Sequence, residues 1–218
     1  LMNEKKKAKI IVKILNKIYP KISSPLEHQN HFTLLVSVLL SAQCTDLNVN
    51  NVTRDIYTKY NKPEHFVKLG RKKIEKLIKK IGIFRIKAKN IYLMSKQILE
   101  KHNGKVPKTF EELEKLPGVG HKTASVVMSQ GFGFPAFAVD THIHRLAQRW
   151  GLTSGKNVIE TEKDLKRIFP KKTWTKLHLQ IIFYGREYCK ARKCYGLSCK
   201  ICTTCYPKRI KPIETNKA

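Results

Sequence analysis

The amino-acid sequence predicts an all-α fold. Apolar residues recur at three- and four-residue steps in most segments, convincing period-two alternation is absent, and glycine- or proline-containing stretches interrupt the helical segments at short intervals. The 218 residues, of which 41% are hydrophobic, are enough to bury a substantial core, which argues against a disordered chain. We therefore expect many short helices with short connections.

The predicted helices follow one another along the whole chain. The segment KAKIIVKILNKIY (7–19) carries one apolar stripe, whereas HFTLLVSVLLSAQ (31–43) is apolar on nearly every side and is expected to be a buried central helix. The segment GFGFP (131–135) is the best candidate for a crossing between two lobes, and the C-terminal PKRIKPIETNKA is expected to be a basic, mobile tail. The other predicted helices span about residues 46–60, 71–81, 87–102, 109–116, 121–130, 141–150, 157–168 and 174–185.

The chain carries a large excess of positive charge. Lysine and arginine number 44 against 16 acidic residues, which gives a formal net charge of +28. This excess indicates a polyanionic partner, foremost a nucleic acid. A membrane surface is the rival partner, but no apolar run reaches about 18 residues and no leader with a cleavage site is recognisable. The bacterial cytoplasm is the expected location, or an organelle or the nucleus if the chain is a fragment of a eukaryotic protein.

The segment LPGVGHKTA (116–124) predicts a helix–hairpin–helix with a lysine at the start of its second helix. Gly118 and Gly120 can adopt conformations closed to other residues, so the backbone of the PGVG turn, with Val119 between them, can seat a phosphate. Such a turn alone is weak evidence, because many simply connect helices. A cation in the first turn of a helix is disfavoured, which favours a neutral, nucleophilic amine on Lys122.

A candidate carboxylate partner occurs in FAVDTHIHR (137–145). Asp140 follows three apolar residues and precedes a predicted helix, so it is either a catalytic carboxylate or only the N-cap of that helix. His142 and His144 either line a pocket or pack within the protein.

The cysteines are concentrated near the C-terminus. Five of the six fall within seventeen residues, at Cys189, Cys194, Cys199, Cys202 and Cys205. In a reducing compartment this pattern indicates a metal or iron–sulfur site rather than disulfides.

Together these segments resemble the endonuclease III family of DNA glycosylases. The motifs are LLSAQCTD (39–46), IGIFRIKAKNI (81–91), LPGVGHKTASVV (116–127), AVDTHIHR (138–145) and the cysteine cluster. The resemblance implies two helical lobes with DNA in the cleft between them. Residues 24–134 would form a six-helix lobe that ends in the helix–hairpin–helix, and residues 1–23 with 135–218 an iron–sulfur cluster lobe.

The resemblance also implies the roles of individual residues. Lys122 would be the nucleophile that attacks C1′ of a damaged nucleotide, and Asp140 the carboxylate that stabilises charge on the sugar. Because the target base must leave the stack, Gln43 and Ile83 would fill the vacated space, although each in isolation is an ordinary helix-end or loop residue.

The cysteine spacing departs from the family pattern. The family separates four ligands of a [4Fe-4S] cluster by six, two and five residues, whereas the five cysteines here are separated by four, four, two and two. We take Cys189, Cys199, Cys202 and Cys205 as the ligands and Cys194 as a spare, with zinc as the alternative metal. Lys190, Arg192 and Lys193 would contact phosphates from this loop.

The predicted function is that of a monomeric bifunctional DNA glycosylase and apurinic/apyrimidinic lyase in base excision repair. Its partner would be double-stranded DNA that contains oxidised pyrimidines or abasic sites. The alternatives are a mismatch or pyrimidine-dimer glycosylase of the same superfamily and a non-catalytic DNA-binding module. An adenine-mismatch glycosylase fits less well, because it carries an added C-terminal domain and usually lacks the lysine.

Overall fold

The computed structural model describes residues 2–218, and all regular secondary structure in this range is helical. The all-α prediction is confirmed. The chain divides into two compact units. We call Ser24–Phe134 the hairpin unit, and the chain up to Ser23 together with Pro135–Ala218 the cysteine unit. The α-helices are α1 (Glu4–Ile18), α2 (His31–Ser41), α3 (Asp46–Lys59), α4 (Pro63–Leu77), α5 (Phe84–His102), α6 (Phe110–Glu114), α7 (His121–Val126), α8 (Thr141–Arg149), α9 (Val158–Ile168), α10 (Trp174–Glu187) and α11 (Lys200–Cys205).

The hairpin unit is built around α2, as its apolar sequence predicted. Asn30 caps this helix, accepting a bond from the backbone of Thr33 while the Thr33 hydroxyl bonds back to the cap. Each residue from Phe32 to Leu40 is buried, and α2 packs against α3, α5 and α7. A helix buried on all sides carries no polar face, and its buried Ser37 hydroxyl is paired inside the core with the Tyr57 hydroxyl at 2.7 Å.

Two short helical segments were not predicted from the sequence. The predicted helix began at residue 71, but α4 begins at Pro63 and is interrupted at Gly70, where φ is +71°. Proline breaks a helix interior but is well suited to the first turn, so it marks a helix start here. Helix α11 (Lys200–Cys205) is too short and too rich in cysteine to show a helical apolar pattern.

The core of the cysteine unit contains the clustered cysteines. The stripe on α1 buries Ile11 and Leu15, and α1 packs against α9, α10 and α11. Trp150 and Tyr184 cross with ring centroids 5.9 Å apart in the same core. The cysteine-rich segment is therefore folded against the helices of this unit and is not an appended loop.

The C-terminal segment is bound to the cysteine unit, so the expectation of a mobile tail is wrong. The backbone N–H of Ile213 donates to the Tyr195 carbonyl at 2.9 Å. Asn216 donates through Nδ2 to the Gly155 carbonyl at 2.8 Å, and its N–H donates to Gln148 Oε1 at the same distance. The segment thus holds the loop between Cys194 and Cys199 in place.

Within residues 2–218, no helix combines the length and the apolar character that crossing a membrane would require.

Candidate active site and candidate metal centre

The predicted helix–hairpin–helix is present as α6, the turn at residues 115–120, and α7 (His121–Val126). Gly118 has φ of +79°, and a Cβ at this position would lie 2.7 Å from the side-chain nitrogen of Asn90. Val119 is buried and donates to the Leu116 carbonyl at 3.1 Å. Both the backbone conformation and the close approach of α5 therefore require glycine at position 118.

Contacts between the two helices brace the turn. His121 Nδ1 lies 2.8 Å from Glu114 Oε1, and its ring stacks on Phe110 with centroids 5.8 Å apart. Gly120 is extended, and no atom lies within 4 Å of the position its Cβ would occupy. Because glycine provides no capping side chain, the start of α7 has no side-chain cap and can bind an anion such as a phosphate.

Lys122 is exposed on the first turn of α7, two residues after Gly120. The following residues, Ala124 to Val126, are buried and anchor the helix. The helix continues as a π turn over Val127–Gly131, a rare conformation that is frequent at functional sites. The primary amine of Lys122 is thus carried on a rigid support beside a candidate phosphate seat.

Asp140, in the cysteine unit, is the N-cap of α8. Its Oδ1 accepts from the backbone N–H of Ile143 at 2.8 Å, and the side chain is half-buried. Asp140 therefore caps α8, as its position in the sequence predicted. This bond uses one carboxylate oxygen and holds the negative charge at the helix N-terminus, so capping and catalysis are compatible.

The two histidines after Asp140 have different surroundings. His142 is half-buried and lies 3.4 Å from a guanidinium nitrogen of Arg145. His144 is buried, its Nδ1 lies 2.8 Å from Thr161 Oγ1, and burial lowers its pKa. His144 therefore packs within the unit, which is one of the two alternatives that the sequence left open.

Gln43 and Ile83 lie on neighbouring loops of the hairpin unit. A Cβ on Gly82 would lie 3.9 Å from the Gln43 carbonyl oxygen, so the two loops run side by side. Both residues are exposed, and both have left-handed backbones, with φ of 54° and 57°. This conformation is a genuine outlier for a β-branched residue such as Ile83. No sequence pattern indicates this conformation.

Four buried cysteines form a candidate metal centre in the cysteine unit. The sulfur atoms of Cys189, Cys194, Cys199 and Cys202 all lie within 4.8 Å of one another, and all six cysteines of the chain are free thiols. Cys205, which we took from the sequence as the fourth ligand, is buried but does not belong to this group, and Cys194 takes its place.

The correction follows from a tight turn that the cysteine spacing does not reveal. Cys194 donates through its N–H to the Lys190 carbonyl at 3.3 Å, and Leu197 donates to the Cys194 carbonyl at 2.8 Å. Tyr195 and Gly196 both have positive φ, at 47° and 82°. The chain therefore doubles back and returns the Cys194 sulfur to within 3.9 Å of the Cys202 sulfur.

The thiols alter one another's protonation. Hydrogen bonds among the sulfurs lower the pKa of Cys199 and raise the pKa values of Cys189 and Cys202. Four sulfurs this close together cannot all be thiolates unless a cation is bound between them. The buried tetrathiol set thus fits a metal that takes only sulfur ligands.

Two arginines on α8 support the cysteine loop, and the sequence analysis missed them. Arg149 is 2% exposed and donates to the Lys190 and Ala191 carbonyls at 3.0 and 2.7 Å, and to the Cys189 sulfur at 3.5 Å. Arg145 donates to the Cys189 carbonyl at 3.1 Å. The sequence signal for these two arginines was their spacing, because residues four positions apart lie on one face of an amphipathic helix. Lys190, Arg192 and Lys193 are exposed on the loop itself.

Comparisons with known proteins agree with this geometry. Residues 36–171 match the HhH-GPD superfamily base excision DNA repair protein. Endonuclease III of Bacillus subtilis (strain 168) is 46% identical over 189 residues, 86% of each chain, and that of Escherichia coli (strain K12) is 41% identical over 210 residues, 96% of this chain and 99% of the relative.

Solved structures are also similar to this chain. A trapped endonuclease III–DNA covalent intermediate is 42% identical, with a TM-score of 0.87, over 92% of this chain and 94% of that one. A thermostable thymine-DNA glycosylase is 23% identical with a TM-score of 0.80, over 90% and 94% of the two chains, and shares the fold.

We predict that Gly118→Ala lowers the free energy of unfolding by about 1–3 kcal/mol, because alanine disfavours positive φ and its Cβ would meet Asn90. Gly120→Ala is the matched control and should cost less than about 1 kcal/mol, since its Cβ would enter open space. Urea unfolding without DNA measures both. Equal losses in the two variants would contradict the requirement for glycine at position 118.

Proposed function

Because the chain belongs to the HhH-GPD superfamily of base excision DNA repair proteins, and within it to endonuclease III, we propose that it is a bifunctional DNA glycosylase and apurinic/apyrimidinic lyase. The observation that carries this proposal is the exposed amine of Lys122 on the helix that follows the hairpin turn. Its substrate is duplex DNA with oxidised pyrimidines or abasic sites, on which it acts as a monomer. The bacterial relatives support action on chromosomal DNA in a bacterial cytoplasm.

The Lys122 amine is the nucleophile. Its nitrogen forms a bond to C1′ of the damaged nucleotide while the bond from C1′ to the base breaks, and the base leaves with the bonding electrons and takes up a proton. Opening of the sugar gives a Schiff base between lysine and C1′. Loss of a C2′ proton then expels the 3′ phosphate by β-elimination, and water releases the lysine.

Asp140 is the second catalytic group. Positive charge develops on the sugar as the base departs, and a carboxylate stabilises this charge while also accepting the proton of the attacking amine. Its cap bond from the Ile143 N–H supports the role, because that bond orients the carboxylate.

The remaining predicted residues bind DNA. The backbone of Gly118, Val119 and Gly120 seats a phosphate without reading sequence. Gln43 and Ile83 fill the space left by the extruded nucleotide, the amide by bonding the orphaned partner base and the aliphatic chain by stacking. His142 and Lys193 add contacts from the cysteine unit to the sugar–phosphate backbone.

The metal centre is a [4Fe-4S] cluster held by Cys189, Cys194, Cys199 and Cys202. Four buried thiols, one of which accepts a bond from Arg149, fit such a group, which these cysteines would hold and which would tie the loop to α11. The cluster has a structural role. It fixes the loop that displays Lys190 and Lys193.

We predict that Lys122→Gln abolishes covalent trapping. Borohydride reduces the Schiff base, so wild-type protein incubated with duplex DNA containing thymine glycol or an abasic site should give a stable complex, and the variant should give at least about a thousandfold less. Lys89→Gln, at an exposed lysine of α5, is the control and should trap normally. Efficient trapping by the Lys122 variant would refute the assignment.

We predict that Asp140→Asn separates catalysis from capping. Asparagine retains the cap acceptor but loses the charge, so the unfolding free energy should change by less than about 0.5 kcal/mol while base release slows by about a hundredfold. Asp140→Ala should also destabilise the fold by about 1 kcal/mol. Single-turnover base release and urea unfolding give the two values. Normal base release by the asparagine variant would leave Asp140 as a cap alone.

We predict that Cys194→Ser loses the cluster whereas Cys205→Ser keeps it. The native protein should contain about four irons per chain and absorb visible light. Serine at position 194 should remove both properties and destabilise the fold, since metal binding contributes to folding. If the native protein is colourless and contains zinc, the site holds zinc and not an iron–sulfur cluster. If Cys205→Ser loses the cluster and Cys194→Ser keeps it, Cys205 is the fourth ligand.

A further inference from the structure

Lys87 is a buried lysine that the proposed chemistry does not use. It lies in α5 of the hairpin unit and is 6% exposed. Its Nζ donates to two backbone carbonyls at the end of α2, those of Leu40 at 3.0 Å and Ala42 at 2.6 Å. The side chain thus joins the start of one helix to the end of another.

This placement is unfavourable for a lysine that only fills space. Burial lowers the pKa of Lys87, and a cation close to the N-terminus of its own helix is electrostatically disfavoured. The compensation comes from α2, whose last carbonyls have no intrahelical partner and whose last turn contains no basic residue. A cation at a helix C-terminus is favourable, so the stabilising contact is made with α2.

The two carbonyl bonds adjoin the loops that carry Gln43 and Ile83. The carbonyl of Ala42 immediately precedes Gln43, and the backbone N–H of Lys87 donates to the carbonyl of Ile83 at 3.2 Å. Lys87 therefore bonds the backbone of both loops, through its side chain beside Gln43 and through its own N–H at Ile83. A second tie links the same loops through α3, since Asn48 Nδ2 donates to the Cys44 sulfur and to the Lys80 carbonyl, each at 3.2 Å.

Both loop residues need such support. A left-handed backbone at a residue other than glycine costs about 1–3 kcal/mol and persists only where the surroundings enforce it. Gln43 and Ile83 each have this conformation and are exposed, so packing of their own side chains does not enforce it. The Lys87 bonds restrain the backbone beside both residues, at the Ala42 carbonyl before Gln43 and at the carbonyl of Ile83.

We propose that Lys87 is a positioning residue that fixes the spacing and backbone conformation of Gln43 and Ile83, so that the two side chains enter the DNA duplex as one preformed unit. This inference rests on the proposed function. It assigns to Lys87 a part in extruding the nucleotide and none in the chemistry at C1′.

The test compares DNA in which extrusion is needed with DNA in which it is not. Lys87→Met keeps the length and apolar stem but removes the donors. It should slow base release at thymine glycol in a duplex by about tenfold or more, and leave cleavage at an abasic site in a single strand unchanged. Lys89→Met, an exposed lysine on the same helix, is the control and should alter neither rate.

A fluorescent base supplies a readout of extrusion itself. With 2-aminopurine opposite the lesion, wild-type protein should raise the emission on binding as the base loses its stacked partner, and Lys87→Met should weaken this rise. Equal slowing on both DNAs, or no slowing on either, would overturn the positioning role. If the wild-type protein cleaves neither DNA, the proposed function itself fails.

Asn48→Ala keeps the inference testable if the Lys87 variant does not fold. It removes the second tie, which consists of the bonds from Asn48 Nδ2 to the Cys44 sulfur and to the Lys80 carbonyl, and should lower the ratio of duplex to single-strand rates by about two- to fivefold. An unchanged ratio in this variant, with the Lys87 variant unfolded, would assign Lys87 to stability alone.

Discussion

Buried cations bonded to backbone carbonyls are the interaction on which the functional loops of this protein depend. An irregular loop or helix end leaves carbonyl groups without a helical partner, and burying them unpaired would be costly. Lys87 satisfies the carbonyls at the end of α2, including that of Ala42. Arg149 satisfies those of the cysteine loop, including that of Ala191. Each cation thereby fixes a segment that has no regular hydrogen-bond ladder of its own.

The same interaction divides the basic residues of the chain into two groups with different roles. Lys7, Lys87 and Arg149 are buried, and their charges face carbonyls or rings inside a unit. Lys122 and Lys193 are exposed, so their charges are available to a polyanion. A net charge of +28 alone does not distinguish these groups. Burial does, because the first group faces backbone and rings inside a unit and the second faces solvent.

The sequence predicted those parts of the structure that local patterns determine. The apolar run of α2, the glycine turn before Lys122 and the N-cap at Asp140 each follow from residues adjacent in the chain. The choice of Cys194 over Cys205 depends on where a loop turns back. The contacts of Lys87 and Arg149 join residues more than forty positions apart, so a local pattern indicates at most the helix face on which the cation lies and not the carbonyls that it meets.

The left-handed conformation of Gln43 and Ile83 shows why such contacts are tied to function. Local preference would place neither residue at positive φ, so the conformation is imposed by bonds that converge on the two loops from α3 and α5. A glycine would relieve the backbone strain but would remove the side chain that we propose enters the duplex. Gln43 and Ile83 therefore keep their side chains at the cost of backbone strain, and the buried ammonium of Lys87 restrains the backbone beside them.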